Sequence, residues 1–471
     1  MRQNVGILLP VASLPSEFGI GDFGPNAYRF IDWLSKHHYR YWQVLPLNPL
    51  GFGNSPYMST CSIALDSRYI SLEVLEEQGL ILNVPHYREN SPYINYEKAG
   101  AFKDKWVYKA YLNYRKGKME ALKKFKTRHP WVMQYATYEA FKKHNNYAPW
   151  NYWSDEEIHY YENHNNPPKR YLKEIDYIVF KQYLAHNQWR RLLSYARSKN
   201  VKIIDDMPFY VGFDSMECWL NKSLFAFDEN NRQTQVGGCP PDAFSDSGQL
   251  WGSPIYLFDK MKEDGYKLLV DRTGYLGNMC DYLRIDHFRA FDTYYVIPGD
   301  AKDARIGEWK VGPRDEFFHI LKERYPNVKI IAEDLGDLFP SVIELRDRLG
   351  LPGMYIEEFK LFEPNATAGK NMIVYTGTHD NNTLYGWIKD LKPEDLKFLT
   401  EKFNCKPHQL YKKIIDHVLS LESFMTIFPL QDVLKLDGKA RLNLPGTCGY
   451  PNWAWRLKSF DQLKKAKFKI K

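Results

Sequence analysis

Residues 283–291 read Leu-Arg-Ile-Asp-His-Phe-Arg-Ala-Phe. They set four ionisable side chains, Arg284, Asp286, His287 and Arg289, among apolar Leu283, Ile285 and Phe288. A segment that only buries itself does not usually hold so many charged groups. In an extended strand alternate side chains share a face, so Arg284 and Asp286 lie side by side. A guanidinium beside a carboxyl lowers its pKa and keeps it ionised. An ionised, oriented carboxylate at a strand end is what covalent glycosyl transfer needs. A purely structural ion pair inside a barrel would use the same two residues, so two further stretches decide. Residues 328–336, Val-Lys-Ile-Ile-Ala-Glu-Asp-Leu-Gly, run into Glu333 and Asp334. Residues 373–382, Ile-Val-Tyr-Thr-Gly-Thr-His-Asp-Asn-Asn, run into His379 and Asp380. Three apolar strands therefore each end in a carboxylate, with 47 residues from Asp286 to Glu333 and 47 from Glu333 to Asp380. Active sites of parallel α/β barrels draw catalytic side chains from the C-terminal ends of several strands.

The rest of the chain has the rhythm that such a site requires. Residues 5–14 read as a first strand. A glycine-rich loop follows, and then Ala27, Phe30, Ile31 and Leu34 fall on one helical face. A second strand at 41–47 ends in Pro46, and strand–helix–strand order predicts right-handed crossovers in a parallel sheet. Further strands are expected at 201–211, 282–288, 328–333, 354–358, 371–376 and 424–428, with helical patterns such as 317–325, 340–349 and 407–421 between them. Eight strands alternating with helices predict a (β/α)₈ TIM barrel over residues 1–471, an α/β fold with large insertions on its C-terminal face. A bare barrel needs ~250 residues, and the surplus falls in two places. Residues 70–172 predict a mostly helical insertion, and 212–260 an active-site loop insertion. Within the second, 237–252 has no helix pattern and is too long for a plain connection, as functional lids and binding walls are. Its Phe244 and Trp251 are suited to stacking on a sugar, as is Tyr57 in the polar loop 51–57. The Gly-x-Gly of that loop is a weak phosphate signal, because no helix opens directly after it. Residues 201–211 also carry two adjacent carboxyls, Asp205 and Asp206. Spacing alone leaves open which of them faces the pocket, and likewise Glu333 or Asp334.

Composition narrows the function. Aromatic residues make up 16% of the 471, with 34 Tyr and 13 Trp, while charged residues are an ordinary 26%. The net charge of +7 is spread with both signs interspersed. It favours solubility and gives weak support to a polyanionic partner, but with no recognised nucleic-acid motif no nucleic-acid partner is expected; the one dense basic run, 464–471, reads as a solvated tail. The six cysteines contain no Cys-x-x-Cys pair, so neither a disulfide framework nor a zinc site is expected, and a reducing cytoplasm fits. His159 and His164 match no metal-ligand spacing; no metal and no cofactor are expected. No apolar run approaches the ~18 residues of a membrane helix, and Pro10 interrupts the only stretch resembling a signal segment.

Arg-Ile-Asp-His-Phe-Arg, Ala-Glu-Asp-Leu-Gly and Gly-Thr-His-Asp-Asn resemble the signatures of the amylomaltases, the 4-α-glucanotransferases or disproportionating enzymes related to the α-amylases. Asn54-Ser-Pro-Tyr57, Asp206-Met-Pro-Phe-Tyr, Pro240-Pro-Asp, Gly248-Gln-Leu-Trp-Gly and Leu444-Pro-Gly-Thr fit the same family, in order along nearly the whole chain; the likeness is weakest in the helical insertion. The resemblance implies Asp286 as nucleophile, Glu333 as general acid/base and Asp380 as transition-state stabiliser. It implies that Arg284 holds Asp286, that His379 joins Asp380 on sugar hydroxyls, and that Tyr57, Asp206, Trp251 and His287 belong to the glucan site. It selects Glu333 over Asp334 and Asp206 over Asp205. Donor and acceptor would be α-1,4-glucans. The alternative is an α-amylase-like hydrolase on the same fold. Such enzymes usually carry a C-terminal sheet domain, and only 43 residues follow Phe428.

Overall fold

The computed structural model describes residues 4–87, 89–117, 119–241 and 245–466. Eight strands form one all-parallel sheet: β1 Val5–Leu8, β2 Tyr41–Gln43, β3 Lys202–Met207, β4 Tyr282–Ile285, β5 Ile330–Ala332, β6 Gly353–Ile356, β7 Met372–Tyr375 and β8 Met425–Pro429. Their order in space, β6-β7-β8-β1-β2-β3-β4-β5, is the chain order wrapped round. The ring closes between β5 and β6, where the Ala332 amide donates to Pro352 O at 2.9 Å and the Met354 amide to Asp334 Oδ1 at 2.7 Å. This is the (β/α)₈ barrel expected from the sequence.

The strands are shorter than their apolar runs, and prolines or turns explain where they stop. β1 ends at Leu8, two residues before Pro10, which has no N–H to give to a ladder; Val11–Ser13 is a 3₁₀ turn. β3 stops at Met207, before Pro208. After β4, His287 takes φ 55°, a left-handed backbone that ends the strand and turns the chain across the barrel mouth. The helix Pro25–Lys36 buries Ala27, Phe30, Ile31 and Leu34, the face read from their spacing.

Two excursions carry the remaining chain. Between β2 and β3 lie several helices, including Tyr96–Tyr114, Trp131–His144 and the 27-residue Leu172–Ser198. The second excursion is an antiparallel sheet in which Gln235–Cys239 pairs with Gln249–Pro254 on one side and Thr293–Pro298 on the other; Thr293–Pro298 also pairs with Glu308–Val311. The stretch 237–252, read as an irregular wall, is thus partly strand. Its glycines hide the alternation that marks a strand, and its pairing partner, Thr-Tyr-Tyr-Val-Ile-Pro, comes from beyond β4. A small core of Val236, Tyr295, Ile297 and Ala304 seals this sheet. Phe244, Asp242 of the Pro-Pro-Asp motif and the end of the basic tail lie outside the described residues. No helix among the described residues is long and apolar enough to cross a membrane.

Candidate active site

β4 and β5 are neighbours, and each extends its ladder by one residue at the C-terminal end. The Asp286 amide donates to Met207 O at 2.9 Å and the Glu333 amide to Ile285 O at 3.0 Å. Asp286 and Glu333 are thereby brought to the same barrel mouth. Alternation along the strands settles the two ambiguous pairs. Asp206 meets Arg284 inside the barrel, whereas Asp205 accepts only a local bond from the Asp206 amide, at 2.9 Å. Glu333 turns toward Asp286, whereas Asp334 turns outward to the Arg346 guanidinium and the Met354 amide.

Arg284 is buried at the centre. Its Nη1 donates to Asp206 Oδ2 at 2.6 Å and Oδ1 at 2.7 Å, and lies 3.0 Å from Asp286 Oδ1. The guanidinium is therefore shared, with Asp206 holding the closer contact. Asp206 also accepts the Tyr57 hydroxyl at 2.8 Å. Its side chain is 0% exposed, so as placed it supports the site from beneath rather than lining the glucan wall, because Arg284 and Tyr57 occupy its oxygens. Tyr57 stacks on His379, with centroids 5.2 Å apart at 18°. Trp453 packs against both, at 5.6 and 5.8 Å. On the opposite wall Trp251 meets His287 edge to face at 4.8 Å. Burial, then the charge of Arg289, lowers the His287 pKa to about 3; this imidazole is neutral, and its Nε2 has no partner among the described residues.

The Glu333 carboxyl accepts the His287 amide at 2.6 Å and the Leu335 amide at 3.1 Å, which fixes its direction. Burial and then the negative charge of Asp286 push its pKa up to about 8. Asp286 was expected to be held low by its arginine. Burial outweighs that pull, partly because Arg284 is committed to Asp206, and Asp286 rises to about 6. The order of the two survives: near pH 7 Asp286 is mainly ionised and Glu333 mainly protonated.

Asp380 sits across the mouth with 45% of its side chain exposed to the cleft. Asn443 Nδ2 donates to its Oδ1 at 2.7 Å, Arg441 donates to its main-chain oxygen, and His379 Nε2 lies 3.5 Å from its Oδ2. Arg441, Asn443 and Trp453 were not singled out from the sequence. Asn443 directly precedes the Leu444-Pro-Gly-Thr motif, but no spacing rule links it to a residue 63 positions earlier. Among the described residues no group of three or more His, Cys, Asp or Glu is arranged to hold a metal ion. A cavity of about 640 Å³ lies elsewhere, between the helical excursion and the barrel flank, lined by Trp131, Tyr161, Trp219 and Tyr275; none of the three carboxylates reaches it.

Known proteins resemble this chain over nearly its whole length. The sequence profile described as 4-alpha-glucanotransferase matches residues 9–462. A 4-alpha-glucanotransferase of Streptococcus pneumoniae is 37% identical over 481 residues, covering 98% of this chain and 94% of the relative. The chloroplastic/amyloplastic enzyme of Solanum tuberosum is 35% identical, covering 98% and 84%. Among solved structures, the amylomaltase from Streptococcus agalactiae in complex with acarbose superposes with TM-score 0.93 at 32% identity, covering 98% of this chain and 96% of that one. The amylomaltase from Corynebacterium glutamicum, at 17% identity and TM-score 0.72, covering 98% and 72%, shares the fold. With one profile spanning both excursions and relatives alike from end to end, the chain belongs to the 4-alpha-glucanotransferase family.

Proposed function

We propose that this 4-alpha-glucanotransferase moves α-1,4-glucan segments between glucan chains by double displacement, with Asp286 as nucleophile, Glu333 as acid and base, and Asp380 as transition-state stabiliser. The observation that carries the assignment is the placement of two buried carboxyls on adjacent strand ends, with Glu333 aimed by the His287 and Leu335 amides. The Asp286 carboxylate attacks the anomeric carbon as the glycosidic C–O bond breaks, and the Glu333 proton goes to the departing oxygen. The fragment that ends in this oxygen leaves. The 4-hydroxyl of another glucan enters, loses its proton to Glu333 and displaces Asp286 from the anomeric carbon. Two inversions return the α configuration. Positive charge develops on the sugar in each transition state, and Asp380, anionic and facing the cleft, offsets it.

Several neighbours support these roles. Arg284 and Asp206 form the rigid base on which Asp286 is set. The Tyr57, His379 and Trp453 rings and the Trp251 and His287 pair form aromatic walls of the kind that stack on sugars. The related Streptococcus agalactiae amylomaltase is known in complex with acarbose, which supports a glucan-type ligand in this cleft. The family match favours transfer over the α-amylase-like alternative, hydrolysis.

Incubation with maltotriose alone tests the reading. The expected products are glucose and a ladder of longer maltooligosaccharides, with total reducing ends nearly constant, since each transfer breaks one glycosidic bond and makes another. A steady rise in reducing ends without products longer than the substrate would mean hydrolysis.

A further inference from the structure

We infer that Asp432 and Glu358, two buried carboxyl groups that the steps above do not use, are positioning residues for Asp380; the inference rests on the role proposed for Asp380. The chain between β7 and the helix Leu384–Asp390 carries both His379 and Asp380, and one carboxylate holds its two ends. Asp432 lies on the short helix Leu430–Val433, directly after β8, the barrel neighbour of β7. Its Oδ2 accepts the Thr376 hydroxyl at 2.6 Å and its Oδ1 accepts the Leu384 amide at 2.7 Å. An ionised carboxylate has acceptor sites for both, and charge strengthens each bond. Asp432 is itself 1% exposed, so water does not compete for these donors.

Glu358 holds the middle of the same segment from the other side of β7. It lies on the helix Glu357–Lys360, after β6, and its Oε2 accepts Asn381 Nδ2 at 3.1 Å. Asn381 Oδ1 in turn accepts the Thr378 amide at 2.8 Å and the Thr378 hydroxyl at 2.9 Å. Asn381 thus closes the turn in which His379 and Asp380 lie. Gly377 permits this approach: a Cβ there would stand 2.9 Å from that of Asn381 and 3.3 Å from Glu358 Oε1. The two carboxyls sense one another, and Arg441 and Tyr411 face them from the C-terminal segment and the helix Leu410–Ser420. Burial and the Asp432 charge push Glu358 well up, while Asp432 rises to about 6. Tethered at both ends and in the middle, the turn presents Asp380 to the cleft in one orientation.

The test is a mutant cycle on maltotriose disproportionation, with fold checked by circular dichroism and the weakest variants assayed on an α-glycosyl fluoride. Asp432→Ala should lower kcat roughly 10–100-fold, the range for small misplacement of a reacting group, with little change in KM. Asp432→Asn should restore most of the activity, because its oxygen still accepts from Leu384 and its amide can donate to Thr376. Glu358→Gln should stay within about threefold of wild type, since the glutamine oxygen can still accept from Asn381 Nδ2, while Glu358→Ala should not. In an Asp380→Asn background, Asp432→Ala should cost less than about threefold, because residues acting as a unit are not additive. Wild-type kcat in Asp432→Ala, or the full loss repeated in the Asp380→Asn background, overturns the inference alone. Undiminished kcat in Asp380→Asn overturns the role of Asp380 and the inference with it. If Asp432→Ala fails to fold, Thr376→Val and Asn381→Ala each cut one tether and carry the same cycle.

Discussion

Replacing Glu333 by glutamine keeps size and hydrogen-bonding ability and removes one proton, and the consequences can be worked out from the two carboxyl environments. In the wild type the productive form has Asp286 ionised, with pKa about 6, and Glu333 protonated, with pKa about 8. A two-proton scheme with those values makes roughly 80% of the enzyme productive at pH 7 and only about a tenth at pH 5 or pH 9. The kcat/KM profile on maltotriose should therefore be a bell centred near pH 7. In Glu333→Gln no proton can be given to the departing oxygen, and turnover of maltotriose should fall about 10²–10⁴-fold. An α-glycosyl fluoride separates the roles, since its leaving group needs little protonation. Its first step should persist in Glu333→Gln and lose the alkaline limb, because the group that titrated near 8 is gone. The acid limb near 6 should remain, because Glu333, with its pKa about 8, is still protonated where Asp286 titrates, so glutamine replaces a neutral group and leaves burial and Arg284 acting on Asp286 as before. Stopped-flow release of fluoride across pH 4.5–9.5, ~5 pH units around the predicted limbs, measures both limbs. A Glu333→Gln variant that keeps its alkaline limb, or that turns over maltotriose at the wild-type rate, refutes the assignment of the proton to Glu333. In Asp286→Asn both substrates should be inert, since no glycosyl-enzyme forms.

Three further expectations come from the supporting residues. Arg284→Met leaves the fully buried Asp206 carboxylate with Tyr57 as its remaining side-chain donor. Removing one partner of such a pair costs about 3–5 kcal/mol, measurable by urea unfolding at pH 7, and the acid limb of activity should move upward as Asp286 loses its cation. Tyr57→Phe removes the 2.8 Å bond to Asp206 but keeps the ring on His379; stability should fall by about 1–3 kcal/mol, and KM should change less than for Tyr57→Ala. Asp205 is buried with its folded pKa raised to about 8, above the ~3.9 of an unfolded chain. The folded state holds the proton more tightly, so this contribution to stability is fully present below pH 4 and is lost as pH rises through 8. Asp205→Asn should therefore raise Tm at pH 8–9 and give little gain at pH 4; equal shifts at both pH values would contradict the sign.

The barrel was legible because its strands are apolar runs bounded by proline and polar turns, and three of those runs end in a carboxylate. Asp286 and Asp380 could be noted as strand-end carboxylates from position alone, whereas spacing did not separate Glu333 from Asp334. The choice between Asp205 and Asp206 could not, because β3 is apolar on both sides of that pair and either residue could have faced inward. Arg284 decides it in three dimensions by meeting Asp206 with 2.6 and 2.7 Å bonds. The second sheet was illegible for a different reason. Gly237 and Gly238 supply no side-chain pattern, and Gly238 is needed because a Cβ there would lie 2.3 Å from Gln249 O. The pairing is written in Tyr294, Tyr295 and Val296, on the far side of β4. Trp453 and Asn443 were missed because their partners, Tyr57, His379 and Asp380, are distant in sequence and lie on other elements.

The two equal spacings between the three carboxylates also have unequal causes. From Asp286 to Glu333 the chain makes one crossover between adjacent strands, β4 and β5, lengthened by the outer half of the antiparallel sheet. From Glu333 to Asp380 it makes two crossovers, through β6, and passes the seam where the barrel closes. Asp286 and Glu333, the proposed nucleophile and acid/base, are therefore neighbours whose positions are fixed by main-chain ladders, Asp286 to β3 and Glu333 to β4. Asp380 has no such ladder to Asp286; side chains of Glu358, Asp432, Arg441 and Asn443 converge on its turn, with one main-chain bond from the Asn443 amide to His379 O at 3.2 Å. This division predicts different tolerances. Conservative packing changes on β4 or β5, such as Ile331→Val, should shift stability by about 0.5–1.5 kcal/mol and leave kcat nearly unchanged, because main-chain pairing persists. Asn443→Ala, at a partly buried position with no role in the core, should leave Tm close to wild type. It should lower kcat, because the 2.7 Å bond that orients Asp380 has no ladder to replace it. Finding the reverse pattern, with kcat sensitive to Ile331 and indifferent to Asn443, would show that the turn carrying Asp380 is held by the barrel itself.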